Sequence, residues 1–240
     1  DTEVGITKSM GVGMVGFADA LNDLTPDLLV VLGDRYEIFM VASAATVARI
    51  PIVHLHGGET TEGVFDESFS HSITKMSSLH FTATKESRNR VIQLGEQPDR
   101  VFNVGAFGLE AIDHIQFLEK EEIEKRIGQS LNKKTLLIGF HPETYSKGKN
   151  EQHLGALLTA LDHFPNLKLV FTLSNPDQEG RSINRIIKSY AEQNPERAVV
   201  HANLGQTTLF SLMRHIDGVV GNSSSGIIDA PAFKIGTINI

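Results

Sequence analysis

The sequence predicts an α/β protein with two domains, each built on a parallel β-sheet. Short continuous apolar segments, such as 27–32 and 135–140, have the composition of strands that are buried on both faces. They alternate with helical segments of about 10–15 residues, which is the pattern of βαβ units with right-handed crossovers. A chain of 240 residues is long enough for two such blocks.

The first predicted block occupies residues 1–112. Its opening helix has apolar residues at helical spacing, and Thr25-Pro26 ends it. The next strand is fully apolar and ends at Gly33-Asp34. The predicted helices of this block are 8–24, 38–48, 67–77 and 85–94, and its predicted strands are 27–32, 51–55, 79–83 and 101–104.

The second predicted block occupies residues 113–240, and a helix over 109–128 connects the two domains. The charged run from Glu119 (EKEEIEKR) favours a solvated face of this helix over a binding surface. We expect two Rossmann-like domains that face each other across a central cleft, with both termini of the chain truncated. The other predicted helices are 151–163, 180–193, 206–215 and 225–233, and the predicted strands are 135–140, 168–173, 198–201, 218–220 and 237–240.

The composition limits the possible functions. Hydrophobic residues make up 40% of the chain and charged residues 21%, as in globular proteins with a sizeable core. A net charge of −7 disfavours a nucleic-acid partner held by a broad basic surface. The absence of cysteine excludes disulfides and thiolate catalysis from these residues. No apolar run reaches about 18 residues, so we predict a cytoplasmic protein without a membrane partner.

The segment 51–75 has the highest density of titratable side chains on a predicted loop. It begins as an apolar strand and breaks at Gly57-Gly58. Ligands of open α/β sheets bind beyond the carboxyl ends of the strands, which makes this segment the first candidate site. The spacing of its histidines and carboxylates matches no strong metal motif, so we predict no metal site. Its titratable residues include His54, His56, Glu59, Glu62, Asp66, Glu67 and His71.

Several of these residues have more than one interpretation. Asp34 and His56 are one strand–helix–strand unit apart, so parallel strands bring both to one edge of the sheet, where they could form an acid/base pair. Asp34 could instead cap the helix that follows it. His54 lies nearer to the strand body, and we interpret it as a packed structural histidine. Asp66 precedes a helix and is either an acidic N-terminal cap or a catalytic carboxylate.

The strand ends of the second block predict a nucleotide site. The segment GNSSSG at 221–226 joins a strand to a helix, and backbone N–H groups at such a turn can hold phosphate. Asp229, one turn further, could accept hydrogen bonds from both ribose hydroxyls. His141, at the tip of the strand 135–140, is either a phosphate ligand or an acid. Asn175 lies at a third strand end.

Five motifs, in order and over nearly the whole chain, resemble the hydrolysing UDP-N-acetylglucosamine 2-epimerases of the sialic and legionaminic acid pathways. The resemblance implies the GT-B fold and elimination of UDP to a 2-acetamidoglycal, which is then hydrated to N-acetylmannosamine. It also implies no organic cofactor, a UDP-sugar and UDP as ligands, and a homodimer or homotetramer. The motifs are GDRYE (33–37), HLHGGETTEG (54–63), FDESFSHSITK (65–75), FHP (140–142) and GNSSSGIIDAP (221–231).

The resemblance also implies residue roles by position. Asp34 and Asp66 match the acidic catalytic residues of the family, and His141 matches a histidine from its second domain. The predicted catalytic residues are therefore Asp34, His56, Glu59, Asp66 and His141. The predicted UDP-binding residues are Arg35, Asn175, Gly221, Asn222, Ser223, Ser224, Ser225, Gly226 and Asp229.

Two positions depart from the family pattern. Many members have glutamate where this chain has His56, so either Glu59 takes over that role or His56 is itself the base. Ser70 replaces an arginine, so another group must substitute for that cation. The pattern HLHGGE also resembles the branch that acts on UDP-2,4-diacetamido-2,4,6-trideoxyglucose, our alternative substrate. A UDP-sugar transferase and a UDP-sugar-binding regulatory protein are alternative functions, and the motifs disfavour a non-hydrolysing epimerase.

Overall fold

The computed structural model describes residues 2–60, 66–143, 148–175 and 178–240. The chain divides into two compact units, Asp1–Phe107 (unit one) and Gly108–Ile240 (unit two), and each contains one parallel sheet. This division lies slightly before the domain boundary predicted after residue 112. None of the helices in the described ranges combines the length and the apolarity needed to cross a membrane.

Unit one has a four-stranded sheet in the order β1-β2-β3-β4, with every pair parallel. Because each crossover leads to the next strand in the same direction, right-handed connections place the crossover helices on one face. The strands are β1 (Leu29–Leu32), β2 (Ile52–Leu55), β3 (Leu79–Thr82) and β4 (Val101–Asn103). The helices are α1 (Glu3–Leu24), α2 (Tyr36–Val47), α3 (Asp66–Met76) and α4 (Lys85–Gln93).

The core of unit one lies between this sheet and its helices. Val31 of β1 and Ile52 of β2 pack with Ala42 of α2 and Ile73 of α3. The other face of β1 is open, and Val30 is 56% exposed there. The helical periodicity and apolar strands of this region therefore predicted its elements to within a few residues at each end, except that α1 begins at Glu3 and not at the predicted residue 8.

Unit two has a five-stranded parallel sheet in the order β7-β6-β5-β8-β9. The chain winds outwards from β5 to β7 and then returns to the other side of β5, so the switch point lies between β5 and β8. The strands are β5 (Thr135–Gly139), β6 (Lys168–Thr172), β7 (Ala198–His201), β8 (Gly218–Gly221) and β9 (Gly236–Asn239). The helices are α5 (Phe107–Glu110), α6 (Lys120–Ile127), α7 (Asn150–Asp162), α8 (Gln178–Gln193), α9 (Gly205–Met213) and α10 (Ser225–Ile228).

Two predicted helices of unit two are shorter than expected. The helix predicted over 109–128 is broken into α5, a 3₁₀ turn at Ala111–Asp113, and α6. The intervening residues pack on the core through Ile115 and Phe117, and the Leu118 N–H donates to Ser211 Oγ at 3.0 Å. The helix predicted over 225–233 ends at Ile228 and continues as a 3₁₀ turn, Ala230–Phe233, which contains a proline.

Candidate active site

Three carboxylates lie close together at the carboxyl edge of the unit-one sheet. Asp34 follows β1, Glu59 follows β2, and Asp66 begins α3. Burial raises the pKa of Asp34, and the charge of Glu59 raises it further. Burial also raises the pKa of Asp66, to which the charge of Asp34 adds. Asp34 and Asp66 can therefore hold and transfer protons nearer neutral pH than isolated carboxylates.

The sequence-based interpretation of Asp34 as a helix cap is wrong. The N-cap residue of α2 is Arg35, and its side chain makes no capping hydrogen bond. Asp34 therefore precedes the cap, and its carboxyl group faces the charge of Glu59. Asp66 does lie in the first turn of α3, where the helix dipole favours a negative charge. Glu62, which belongs to the same segment of the sequence, lies outside the described residues.

Arg35 is the cation beside these acids. Its guanidinium forms a two-pronged contact with Glu37, with Nε 3.1 Å from Oε2 and Nη2 3.3 Å from Oε1. The charge of Arg35 lowers the pKa of both Asp34 and Asp66, although less than burial raises them. The side chain is 58% exposed, so it remains accessible to an anionic ligand. Ser70, by contrast, is buried in α3 and brings no charge to this group.

His56 is held by contacts at both ring nitrogens. Its Nδ1 lies 3.0 Å from Glu59 Oε1, and its Nε2 accepts the Phe107 N–H at 3.2 Å. Since Nε2 is an acceptor, the ring proton sits on Nδ1 and is donated to Glu59. The ring also packs on Phe107 with 5.4 Å between centroids. This arrangement orients Glu59 and leaves His56 without a free lone pair.

The Gly57-Gly58 turn brings Glu59 against the sheet. A Cβ at Gly57 would lie 2.8 Å from His54 Nδ1. Gly58 has φ +80°, and a Cβ there would lie 2.5 Å from the Ser87 carbonyl oxygen. Arg90 also donates a hydrogen bond to the Gly58 carbonyl. Only glycine fits both positions, which explains why two glycines separate the histidine strand from Glu59.

His54 is a packed structural histidine, as its position in the strand predicted. It is fully buried, and burial lowers its pKa to about 4. Its Nε2 lies 2.9 Å from the Gly33 carbonyl oxygen, and its Nδ1 lies 3.2 Å from Thr74 Oγ1. In the described ranges, no group of three or more potential ligands is arranged to hold a metal ion.

The predicted nucleotide residues of unit two flank its topological switch point. His141 lies just beyond β5, and Asn222 follows β8. The Asn222 side chain accepts the His141 N–H at Oδ1 and donates from Nδ2 to the His141 carbonyl, both at 2.7 Å. The side chain predicted to contact UDP therefore fixes the backbone of His141. Gly221 has φ +137°, and a Cβ there would lie 1.8 Å from the Gly139 carbonyl oxygen.

The turn after Asn222 presents backbone donors. The Gly226 N–H donates to the Ser223 carbonyl at 3.0 Å, and the Ile227 N–H donates to Ser224. Within the described part of the chain, the N–H groups of Ser223 and Ser224 themselves have no protein acceptor. Because α10 has only four residues, these donors belong to the turn itself more than to a helix terminus.

Two further predicted ligands have different surroundings. Asp229 is partly buried, which raises its pKa, while a hydrogen bond from the Ser225 side chain opposes that rise. Asn175 is exposed beyond β6, next to Ser174, whose backbone N–H donates to Asn184. Sequence reasoning missed Phe107, whose backbone N–H binds His56, and did not anticipate that the Gly33 carbonyl contacts His54. Backbone contacts of this kind leave no signature in side-chain patterns.

Comparisons with known proteins show similarity along the whole chain. The model of the UDP-N-acetylglucosamine 2-epimerase family matches residues 1–240. A Campylobacter jejuni protein named GDP/UDP-N,N'-diacetylbacillosamine 2-epimerase (hydrolyzing) is 42% identical over 100% of this chain and 62% of its own length. The Escherichia coli polysialic acid biosynthesis protein P7 is 41% identical over 98% of this chain and 60% of its own. The chain thus spans about three fifths of these relatives.

A solved structure agrees with the fold. UDP-GlcNAc 2-epimerase from Neisseria meningitidis, bound to UDP-GlcNAc, matches 98% of this chain and 64% of its own with a TM-score of 0.81 at 19% identity. This likeness confirms the predicted α/β class, a GT-B-like fold with two Rossmann-like units. Together with the family match over every residue, it leads to one conclusion: the chain belongs to the UDP-N-acetylglucosamine 2-epimerase family.

Proposed function

We propose that the protein containing this chain is a hydrolysing UDP-sugar 2-epimerase that acts on a 2-acetamido sugar. A carboxylate removes the C2 proton while the C1–O bond breaks and UDP leaves with the bonding electrons. Water then adds its hydroxyl group at C1 of the resulting glycal, and an acid returns a proton to C2 from the opposite face. With UDP-N-acetylglucosamine the products are N-acetylmannosamine and UDP.

The observation that carries this proposal is the group of Asp34, Glu59 and Asp66. Proton removal at C2 and return from the other face require two acid/base groups whose pKa values lie nearer to neutrality than those of free carboxylates. The raised pKa values of Asp34 and Asp66 meet this need. Glu59, oriented by His56, supplies the third carboxylate. A protein that only binds a nucleotide sugar has no need for three repelling acids.

Unit two supplies most of the groups for UDP in this proposal, and the exposed Arg35 of unit one is a further proposed ligand. The N–H groups of Ser223 and Ser224, which have no acceptor among the described residues, suit the diphosphate, because charge develops on phosphate as the C1–O bond breaks. His141, with its backbone fixed by Asn222, is the proposed donor to the leaving oxygen. Asp229 would accept hydrogen bonds from the ribose hydroxyls, which would compensate its burial.

Two sugars fit the proposal. The relative from Escherichia coli is named for polysialic acid biosynthesis, which agrees with UDP-N-acetylglucosamine and a role in nonulosonic acid biosynthesis for a surface polysaccharide. The Campylobacter jejuni relative is named for diacetylbacillosamine, the 2,4-diacetamido-2,4,6-trideoxy sugar of the alternative pathway. Its name includes both GDP and UDP, so kinetics with both sugars and both nucleotides identify the substrate of this protein.

The test uses the full-length protein, UDP-sugar and heavy water. The expected result is release of UDP with one deuterium at C2 of the free product. UDP release without deuterium at C2 would rule out elimination, and a product still linked to UDP would indicate a non-hydrolysing epimerase. Transfer to an acceptor with C2–H retained would indicate a transferase, and tight UDP binding without turnover would indicate a regulatory protein.

Two further measurements test the remaining expectations. Sedimentation of the same sample tests the expected homodimer or homotetramer, and fractionation of cells tests a cytoplasmic location.

A further inference from the structure

We propose that His54 is a positioning residue that holds together the three backbone segments carrying Asp34, Glu59 and Asp66. The inference rests on the proposed function, because positioning matters only if these carboxylates react. His54 would touch no substrate atom. It would act through the segment before Asp34, the turn before Glu59 and the helix that begins with Asp66.

The first contact reaches the Asp34 segment. The Nε2–H of His54 donates to the Gly33 carbonyl at 2.9 Å, across the paired strands β1 and β2. Gly33 has φ +85°, a conformation that its backbone can leave easily because glycine carries no side chain. A hydrogen bond to the Gly33 carbonyl therefore fixes the plane of the peptide bond between Gly33 and Asp34.

The other two contacts reach the Glu59 turn and α3. Thr74 Oγ1 lies 3.2 Å from His54 Nδ1, and Thr74 is fully buried on the helix that starts at Asp66. A Cβ at Gly57 would come within 2.8 Å of the same ring nitrogen, so the turn leading to Glu59 rests directly on the ring. One imidazole thus contacts all three segments.

The ring must be neutral for this arrangement. Nε2 carries the proton that is donated to Gly33, and Nδ1 accepts from the Thr74 hydroxyl. Burial favours the neutral form and lowers the pKa of His54 to about 4. The contacts therefore persist over the whole neutral range, which suits a fixed support rather than a proton carrier.

A second buried histidine provides a matched comparison. His80 lies on β3 directly opposite His54 in the sheet register, and both are fully buried. His80 Nε2 lies 3.4 Å from Glu96 Oε2, too poorly aligned for a normal hydrogen bond, and neither ring nitrogen has one within the described residues. Replacing His80 thus removes similar buried volume but none of the hydrogen bonds that His54 makes to Gly33 and Thr74.

The experiment compares His54→Gln, His54→Asn and His80→Asn in the full-length protein. The glutamine amide reaches the place of Nε2 and can still donate to Gly33, whereas the shorter asparagine cannot. We expect His54→Asn to lower kcat by about 10–100-fold, as small misplacements of catalytic groups do, with an unchanged dissociation constant for UDP. His54→Gln should recover most of the loss, and His80→Asn should lower only the melting temperature.

Equal kcat losses in all three variants, in proportion to their melting temperatures, would overturn the proposal, and so would full kcat in His54→Asn. Thr74→Val is the second test if His54 variants fail to fold, and it should lower kcat severalfold; unchanged kcat there would also count against the proposal. NMR titration of the Asp34 carboxyl group tests the positioning role of His54 independently of the proposed function. If the wild type turns over no UDP-sugar but Thr74→Val or His54→Asn shifts that titration, the proposed function fails and positioning stands.

Discussion

The candidate sites of the two units differ in the groups that they present to a ligand. Unit one gathers half-buried carboxylates at the edge of a sheet whose crossovers run in one direction. Unit two presents neutral backbone donors at a topological switch point, where the chain connections of two neighbouring strands lead in opposite directions. The first environment raises carboxyl pKa values and suits proton transfer, while the second suits a phosphate anion. We therefore expect that the proposed chemistry and the proposed nucleotide binding can be separated by mutation.

The largest expected effect is that of Asp66→Asn. The amide keeps the size of the carboxyl group but cannot exchange a proton, so kcat should fall by about 10²–10⁴-fold. The dissociation constant for UDP should stay nearly unchanged, because Asp66 is not among the proposed UDP ligands. Steady-state kinetics and calorimetric titration with UDP measure both quantities.

Glu67→Gln is the matched control for that change. Glu67 is the next residue of α3, and its Oε1 lies 3.5 Å from His71 Nε2. Losing this partly exposed contact should leave kcat within about twofold. Near-normal turnover in Asp66→Asn would remove Asp66 from the catalytic group, and with it the contrast between the two units.

The pair His56 and Glu59 tests which group carries the chemistry. If His56 only orients Glu59, Glu59→Gln should lower kcat by about 10²-fold, and His56→Asn by about 10-fold. A double variant should then be no worse than Glu59→Gln alone, because the orienting contact has nothing left to orient. Should His56→Asn prove the more damaging single change, His56 is the base and the tautomer argument is wrong.

Asp229→Ala should produce the converse result in unit two. Loss of a charged acceptor for hydroxyl groups should weaken UDP binding by about 10-fold or more. The value of kcat at saturating substrate should change much less. Asp66→Asn is the reciprocal control, since each variant should alter one quantity and spare the other. Unchanged UDP affinity in Asp229→Ala would contradict the ribose assignment.

The sequence predicted most of the fold because its signals are local. Apolar strands, helical spacing and Thr25-Pro26 each act on their own neighbourhood. The prediction failed at 109–128, where Ile115 and Phe117 leave the helix to pack on the unit-two core. The strand order β7-β6-β5-β8-β9, and with it the switch point, depends on packing between elements that are distant in sequence.

The candidate site, too, could be predicted where it depends on local sequence and not where it depends on long-range contacts. Asp34, Glu59 and Asp66 could be expected together because parallel strands end at one edge. The state of His56 could not, since it depends on the N–H of Phe107, 51 residues away, and on a backbone with φ +63°. The pairing of Arg35 with Glu37 was also hidden, because a charge pair two residues apart has no distinctive spacing.

The smallest expected effect concerns stability in unit one. The raised pKa of Asp34 means that the folded state holds its proton more tightly than the unfolded state. The protonated Asp34 carboxyl group therefore contributes fully to the free energy of unfolding below its ordinary pKa. This contribution is lost as the pH rises through the raised pKa. Asp34→Asn removes that loss, so its melting temperature should exceed that of the wild type near pH 7.5. The difference should vanish in acid, and a constant difference across the scan would show that charge repulsion is not its cause.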